Sequence, residues 1–321
     1  MSSIDINHLL NDFGRELEEL VRKGDILGVA SLLAKRRSGE IKLNFDAALD
    51  STGNTIVHQA IRRLRDGDGP DILELLLEAG ADPDKKNRTG YSPLHWCINM
   101  ASVSGRAIEY FHVLMKHGAL VDPVNEFNET PLHSACHHGH VDMVRALLDH
   151  GAGIMMRRGR GFTQLHQVGN ASIPEDVQVE VATVLLDRGA DIDAPNDEGV
   201  TPVAFACRSG SGKLTGYLLS RGAVLDEPDA KKLLSEVLSR TGKKSKDAEA
   251  ALVLMRHLGL DIQQKYDGKT LLSRFSDLAA KDLIREAIRR CRSVELSDRL
   301  NDAMSQDSGP SSSSSAAGMS L

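Results

Sequence analysis

Short leucine-rich segments recur along the chain, and each is followed by a break rich in glycine and aspartate. Residues 73–77, 144–148 and 181–186 carry apolar side chains at helical spacing, while the breaks carry residues that suit tight turns. Earlier in the chain, residues 17–33 show two apolar stripes separated by Gly24 and Asp25. The pattern predicts pairs of short helices, each too small to bury its own apolar face, so that neighbouring pairs must stack.

A six-residue phrase begins each of the clearest helix pairs. It reads TIVHQA from Thr55, SPLHWC from Ser92, TPLHSA from Thr130, TQLHQV from Thr163 and TPVAFA from Thr201, in steps of 37, 38, 33 and 38 residues. The dipeptide Gly-Ala closes each pair, with glycine at 80, 118, 151, 189 and 222. The first four of these glycines each lie 12 residues before the next phrase. Two phrases that keep one offset identify an internal repeat.

This pattern resembles the ankyrin repeat, which has a period of about 33 residues and the signature T-P-L-H-x-A. The resemblance implies an all-α solenoid of stacked units, each a β-turn followed by two antiparallel helices. The residues suit that fold, because threonine caps the first helix, proline can follow the cap, and glycine ends the second helix. In the family, the histidine of the phrase has a structural role and bonds between neighbouring turns; here it is His58, His95, His133 and His166.

The ends of the array are less regular than its centre. Residues 1–49 are predicted as a degenerate capping repeat with its connection, and residues 50–228 as five ankyrin repeats. Residues 229–300 are predicted as degenerate C-terminal repeats, which brings the array to seven helix pairs and the start of an eighth. The Ser-rich residues 301–321 are predicted to be disordered, because they carry too little apolar surface to fold. Within the five repeats, Gln164 replaces the proline of the fourth and Ala204 the histidine of the fifth.

The sequence carries no recognisable catalytic, phosphate-binding or calcium-binding motif. His137, His138 and His140 look like a metal cluster, but Gly139-His140 matches the glycine-histidine pair that starts the second helix in the family. The four cysteines form no CxxC pair, and the closest two lie 39 residues apart. We therefore expect a protein that is not an enzyme and that uses neither a cofactor nor a metal.

Charge and hydropathy limit the partners and the compartment. The net charge of −6 gives no global attraction to nucleic acid or to an anionic membrane. The sequence contains no apolar run of about 18 residues, the length that would predict a membrane span. Residues 1–10 lack the pattern of a signal peptide. We expect a cytoplasmic or nuclear chain that is a monomer in isolation and binds another protein rather than a small molecule. The basic run at residues 243–246 is either a nuclear localisation patch or a solvated loop between helices.

The binding surface implied by the resemblance is the concave side, formed by the hairpin tips and the exposed side of the first helices. Aromatic and arginine side chains are enriched in binding hot spots, and the centre of this side is locally basic. Trp96 and Phe205 occupy a position that is expected to pack in the core. Alignment of the five repeats with the repeat positions that the family exposes on its concave side gives the candidate partner-binding residues. They are Arg62, Arg63, Lys86, Arg88, Tyr91, Met100, Phe127, Glu129, His137, Arg158, Arg160, Phe162 and Arg208.

The sequence thus predicts a protein–protein interaction module, either an adaptor, a scaffold or an inhibitor. Its concave groove is expected to bind a partner segment with acidic and apolar side chains. The alternative is a nuclear regulatory protein or transcriptional coregulator that acts through the same ankyrin surface. Direct binding of nucleic acid is disfavoured, because the sequence lacks a recognised nucleic-acid-binding fold.

Overall fold

The computed structural model describes residues 6–101, 105–170, 172–240, 245–259, 265–266 and 269–270. These residues form helices joined by turns, with one two-stranded hairpin near the end. The elements are α1 Ile6–Lys23, α2 Ile26–Arg37, α3 Ile56–Arg62, α4 Asp71–Glu78, α5 Pro93–Met100, α6 Ala107–Lys116, α7 Pro131–His138, α8 Val141–Asp149, α9 Gln164–Asn170, α10 Glu175–Asp187, α11 Pro202–Arg208, α12 Gly212–Ser220, α13 Glu227–Arg240, α14 Ser245–His257, β1 Lys265–Tyr266 and β2 Lys269–Thr270.

Consecutive helices pair, and the pairs stack in two layers. The first helices contact one another from α1 through α3, α5, α7, α9, α11 and α13, and the second helices form the other layer. One continuous apolar core runs between the layers, with Ile61, Leu94 and Leu132 fully buried along it. This arrangement confirms the all-α ankyrin solenoid, in which each pair buries its apolar face against its neighbours.

The two ends follow the repeat pattern less closely. At the start, α1 and α2 break at Gly24, and Asp25 caps α2 by accepting the Gly28 N–H at 2.9 Å. At the other end, α14 packs on α12 and α13, and α13 packs on α11; β1 pairs with β2 in antiparallel register. The last part of the predicted C-terminal repeats, from residue 271 onward, and the predicted disordered tail lie outside the described residues. The domain boundaries stay predictions.

In the first three repeats, the threonine or serine of the phrase and its histidine form a hydrogen-bonded box that starts the first helix. In the second repeat, the Ser92 N–H donates to Nδ1 of His95 at 3.3 Å, and the His95 N–H returns to the Ser92 hydroxyl at 3.4 Å. Histidine therefore takes the place that glutamate or glutamine holds in a common capping box. Thr130 and His133 make the same pair of bonds. The predicted caps of these first helices are confirmed.

The other nitrogen of the same imidazole links one repeat to the next. Nδ1 already accepts a backbone N–H, so the proton of the neutral ring lies on Nε2. From there His58 donates to the Tyr91 carbonyl at 3.2 Å, and His95 donates to the Glu129 carbonyl at 3.0 Å. His166 reaches the Val200 carbonyl at 2.9 Å in the same way. The implied structural role of these three histidines is confirmed.

A polar side chain braces most of the hairpin tips that precede the first helices. The Asn87 Oδ1 accepts the backbone N–H groups of Thr89 and Tyr91, at 3.1 and 3.0 Å. Asp50, Asn125 and Asn196 brace their own hairpins by the same two bonds. Backbone bonds then join one tip to the next, as where the Arg88 N–H donates to the Thr52 carbonyl at 2.9 Å. The tips consequently stand in one row.

The buried histidines make stability depend on pH. Burial lowers the pKa of His58 and of His95 to about 4, from an ordinary value of 6.5. Both rings are therefore neutral in the folded chain and gain a proton on unfolding below pH 6.5. Their contribution is complete above about pH 6.5 and is lost as the pH falls towards 4. Urea unfolding followed by circular dichroism should show a lower unfolding free energy at pH 5 than at pH 7.

The substitution His95→Gln tests this cause. An amide can still bond to the Glu129 carbonyl but does not titrate, so the variant should lose less stability between pH 7 and pH 5. The slope of the unfolding free energy against pH should be smaller than in the wild type, by up to about 1.4 kcal/mol per pH unit for one proton. His112→Gln, which removes an exposed imidazole, serves as the matched control. A slope in His95→Gln equal to that of the wild type would contradict the assignment.

Candidate functional site

Two exposed side chains stand side by side at the tips of the third and fourth hairpins. Phe127 is 62% exposed, and the side chain of Arg160 is 79% exposed. Both occupy the third position of their hairpin, where Thr52, Thr89 and Glu198 stand in the other repeats. The Gly159 N–H donates to the Phe127 carbonyl at 3.4 Å and so joins the two tips.

The backbone of the fourth hairpin is strained at its tip. Arg160 has φ of 63° and ψ of 23°, and Gly161 follows with φ of 72°. Among the described non-glycine residues, only Asn128 and Arg160 have positive φ. The left-handed conformation costs an ordinary residue about 1–2 kcal/mol. A side chain attached to Gly161 would lie 2.8 Å from the Asp197 nitrogen, so the turn needs glycine there. Strain of this kind is often found at functional sites.

The fourth hairpin also lacks the bonds that brace its neighbours. Arg158 stands where the other hairpins carry a bracing asparagine or aspartate. Met155 replaces the aspartate that elsewhere accepts an N–H from the next repeat, as Asp122 does from Gly153 at 2.8 Å. The Nε2 of His133 is buried and makes no hydrogen bond within the described part of the chain. Met155 therefore removes a polar contact towards the fifth hairpin, and the unbonded His133 removes one towards the fourth. The bond from Gly153 to Asp122 still joins the third and fourth hairpins.

Several of the exposed large apolar side chains lie on the third and fourth hairpins. Met155 and Met156 are 51% and 38% exposed, and both precede the strained tip. The Asn128 side chain donates to the Arg157 carbonyl at 2.9 Å, which holds the third tip against this part of the fourth hairpin. We name Phe127, Met155, Met156 and Arg160 the hairpin patch. Exposed apolar groups clustered in this way are typical of interaction sites.

Half-buried aromatic rings line the groove beside the tips. Phe162 packs edge-to-face against His166 and Phe205, with ring centroids 5.5 and 5.2 Å apart. Tyr91 packs in the same way on His95 at 5.5 Å, and Trp96 on His58 at 5.9 Å. Trp96 and Phe205, which were expected to pack in the core, are half-buried and show part of their rings to solvent.

An ion pair crosses the middle of the groove. The Arg158 guanidinium pairs with the Glu129 carboxylate, and it lies 6.0 Å from the centre of the Phe162 ring. The Asn125 amide donates to the same carboxylate at 3.2 Å. Burial, with a further contribution from Glu129, raises the pKa of the Tyr91 hydroxyl. Glu129 and Arg158 therefore hold hairpins three and four together, besides being candidate contacts for a partner.

Four other candidates are exposed on the concave side. The Lys86 ammonium donates to the Val124 carbonyl at 2.7 Å, and the Arg88 guanidinium donates to the Ser51 carbonyl at 2.8 Å. Arg62 and His137 are exposed on the first helices of repeats one and three. These positions leave polar groups accessible along the groove.

Three candidates serve mainly to hold the chain together. The side chain of Arg63 is only 18% exposed, pairs with Asp66 and Asp68, and donates to the Arg22 carbonyl at 2.8 Å. Arg208 pairs with Glu236 at 3.0 Å. Met100 is half-buried against the core. These three side chains make contacts within the chain, whereas the side chains of the hairpin patch are exposed to solvent.

The sequence reasoning missed Met155 and Met156. The signal that could have found them was the alignment of the repeats, in which Met155 takes the place of Asp84, Asp122 and Asp193. Within the described ranges, no three histidine, cysteine or acidic side chains are grouped as metal ligands. His138 and His140 instead stack at 5.6 Å. Of the described helices, none has the length and apolar content to cross a membrane.

Comparison with curated proteins gives partial matches. A putative palmitoyltransferase of Danio rerio is 33% identical over 162 residues, which are 48% of this chain and 23% of that protein. Ankyrin repeat and SOCS box protein 16 of Mus musculus is 31% identical over 174 residues, which are 53% of this chain and 37% of that protein. The chain thus spans well under half of the length of these relatives.

The family profile and the solved structures agree on the fold. The profile described as ankyrin repeats in three copies matches residues 64–158 and 94–177. The crystal structure of an ankyrin repeat domain from Acinetobacter baumannii covers 65% of this chain and 98% of its own, with a TM-score of 0.54 and 24% identity. At that identity the likeness concerns the fold alone. Residues 64–177 match the ankyrin-repeat family, and the two-layer stack of the described residues has the ankyrin-repeat fold.

Proposed function

We propose that this chain is a non-enzymatic adaptor, scaffold or inhibitor that binds an acidic and apolar segment of a partner protein. The ankyrin repeats indicate a protein-interaction module. The segment docks on the hairpin patch and extends along the aromatic groove. The observation that carries this proposal is the strained arginine at the tip of hairpin four. The Arg160 carbonyl accepts the Asp197 N–H at 3.1 Å, but its guanidinium reaches Glu198 only at 3.9 Å and is largely exposed, on the tip next to the one that carries the exposed Phe127.

The charges on this side favour an acidic partner. The head groups of Lys86, Arg88 and Arg157 bond to backbone carbonyls, and no carboxylate lies within 4 Å of them among the described residues. Arg160 approaches Glu198 only to 3.9 Å, with both side chains largely exposed. The concave centre is therefore locally positive, although the whole chain carries −6. Complementary charge gives a partner a faster and more specific encounter.

The apolar part of the partner follows from the exposed side chains. Phe127 is a rigid aromatic anchor, and Met155 and Met156 are flexible apolar contacts that adapt to different shapes. The catalytic name of the zebrafish relative describes a protein of which this chain covers 23%. Our proposal assigns no reaction to this chain, because its clustered exposed groups are suited to contact rather than to acid–base or nucleophilic chemistry.

The substitution Arg160→Gly should change stability and binding in opposite directions. Glycine adopts the left-handed backbone without strain, so urea unfolding should show a gain of roughly 1 kcal/mol. Loss of the guanidinium should weaken binding of an acidic peptide about tenfold, as measured by fluorescence polarisation. Arg160→Lys, which retains the charge, should keep most of the affinity. A variant that is stabilised yet binds as tightly as the wild type would remove Arg160 from the site.

The substitution Phe127→Ser tests the apolar anchor. Peptides are first selected on the full chain from a random 12-residue display library, and we expect those retained to combine Asp or Glu with Phe, Leu or Trp. Phe127→Ser should reduce their affinity at least tenfold, because a buried aromatic anchor contributes about 2 kcal/mol.

Leu27→Ser is the matched control for the anchor. Leu27 is another exposed apolar side chain, on α2 at the start of the array, so its loss should leave the affinity unchanged. Circular dichroism should show the same fold for both variants. Selection of basic peptides, or equal losses in the two variants, would refute the proposed site.

A further inference from the structure

The fifth repeat lacks the imidazole that fills the corresponding space in its neighbours. His58, His95 and His166 are buried, and each bonds to a carbonyl of the next repeat. Ala204 stands at the same position in the fifth repeat and is only half-buried. The space beside Thr201 therefore contains no ring and opens towards the concave side.

The next hairpin is also too short to cover that space. In the fifth repeat, α11 begins 13 residues after the closing glycine, at Pro202. After Gly222, α13 begins at Glu227, where Asp226 accepts the Asp229 N–H at 2.8 Å. The chain that would form a sixth hairpin tip is absent between these two points. On its C-terminal side the fifth hairpin faces α13 instead of another hairpin tip, across a pocket.

These two departures leave a pocket of about 190 Å³ at the end of the groove. Its lining is mixed: apolar side chains include those of Val200, Ala204, Leu225 and Leu233, and the charged ones are those of Glu198, Arg208, Asp229 and Lys232. The volume has room for one side chain of the size of leucine, which can contact the apolar residues of the lining while the charged ones remain at its open side. The Asp229 carboxylate can accept a hydrogen bond from a backbone N–H of an extended partner segment, and the Lys232 ammonium can donate one to a backbone carbonyl of that segment.

The pocket continues the surface that begins at the hairpin patch. Phe205 follows Ala204 directly and contacts Phe162, while Phe162 ends the hairpin that carries Arg160. Val200 holds in the fifth hairpin the position that Phe162 holds in the fourth. An extended segment lying on the patch and crossing the two phenylalanine rings would therefore reach the pocket.

We propose that this pocket anchors one apolar side chain of the acidic segment, in the space that an imidazole fills in the other repeats. This inference rests on the proposed function for the identity of its occupant. The pocket fixes the direction of the segment along the array, from the hairpin patch towards the fifth repeat. It also selects for leucine or phenylalanine at one position of the partner.

The first test uses small apolar probes and no partner. The full chain, labelled in its methyl groups, is titrated with 3-methylbutan-1-ol and with p-cresol at millimolar concentration. We expect NMR shifts at the methyl groups of Ala204, Val200, Val224 and Leu225. Ala204→His supplies the family's own residue and fills the space, so the shifts of the remaining three should disappear. Ser209→His adds the same ring on an exposed residue just after α11 and should leave them unchanged.

The second test uses the peptides selected on the wild type. Replacing the anchoring leucine or phenylalanine of a peptide by alanine should weaken binding tenfold to the wild type and less than twofold to Ala204→His. Equal losses on both proteins, or probe shifts that persist in Ala204→His, would overturn the pocket. The two proposals fail separately, because the probes report on the pocket even if Arg160→Gly binds peptides normally.

Discussion

One hydrogen-bonded unit sets the geometry of the array: a neutral imidazole held between two repeats. In three repeats its Nδ1 accepts the N–H of the cap residue, and its Nε2 donates to the carbonyl that ends the next hairpin. The unit fixes each hairpin against the first helix before it, so the tips form a row. It is incomplete at His133 and missing at Ala204. The hairpin patch and the end pocket lie at those two places.

The fourth hairpin illustrates how a stack tolerates local strain. Each repeat is stabilised mainly by apolar contacts with its neighbours, so the loss of one bracing asparagine and one inter-repeat bond does not unfold the array. The hairpin is then free to present a left-handed arginine and two methionines to solvent. A site that costs stability in this way suggests selection for contact rather than for folding.

Much of the fold could be predicted, because caps, histidines and closing glycines recur at fixed offsets and each has a local physical role. The alignment of the repeats was enough to place the candidate binding residues on the concave side, but it could not tell which of them hold the chain together and which are exposed. Register placed Arg63 and Arg160 on the same side, yet the first is held by Asp66 and Asp68 and the second is largely exposed at a tip, 3.9 Å from Glu198. Pairing between hairpins, such as Glu129 with Arg158, depends on how repeats stack. The turn at Arg160 likewise depends on Gly161, where an added side chain would collide with Asp197 of the next hairpin.

In the proposed complex, the partner segment occupies the concave row from hairpin three to hairpin five. Hydrogen–deuterium exchange of the full chain, with and without a selected acidic peptide, tests it directly. We expect slower exchange at residues 125–130, 157–163 and 196–205 when the peptide is bound, with little change along α8, α10 and α12. Protection confined to those second helices, or none on the hairpins at saturating peptide, would contradict it.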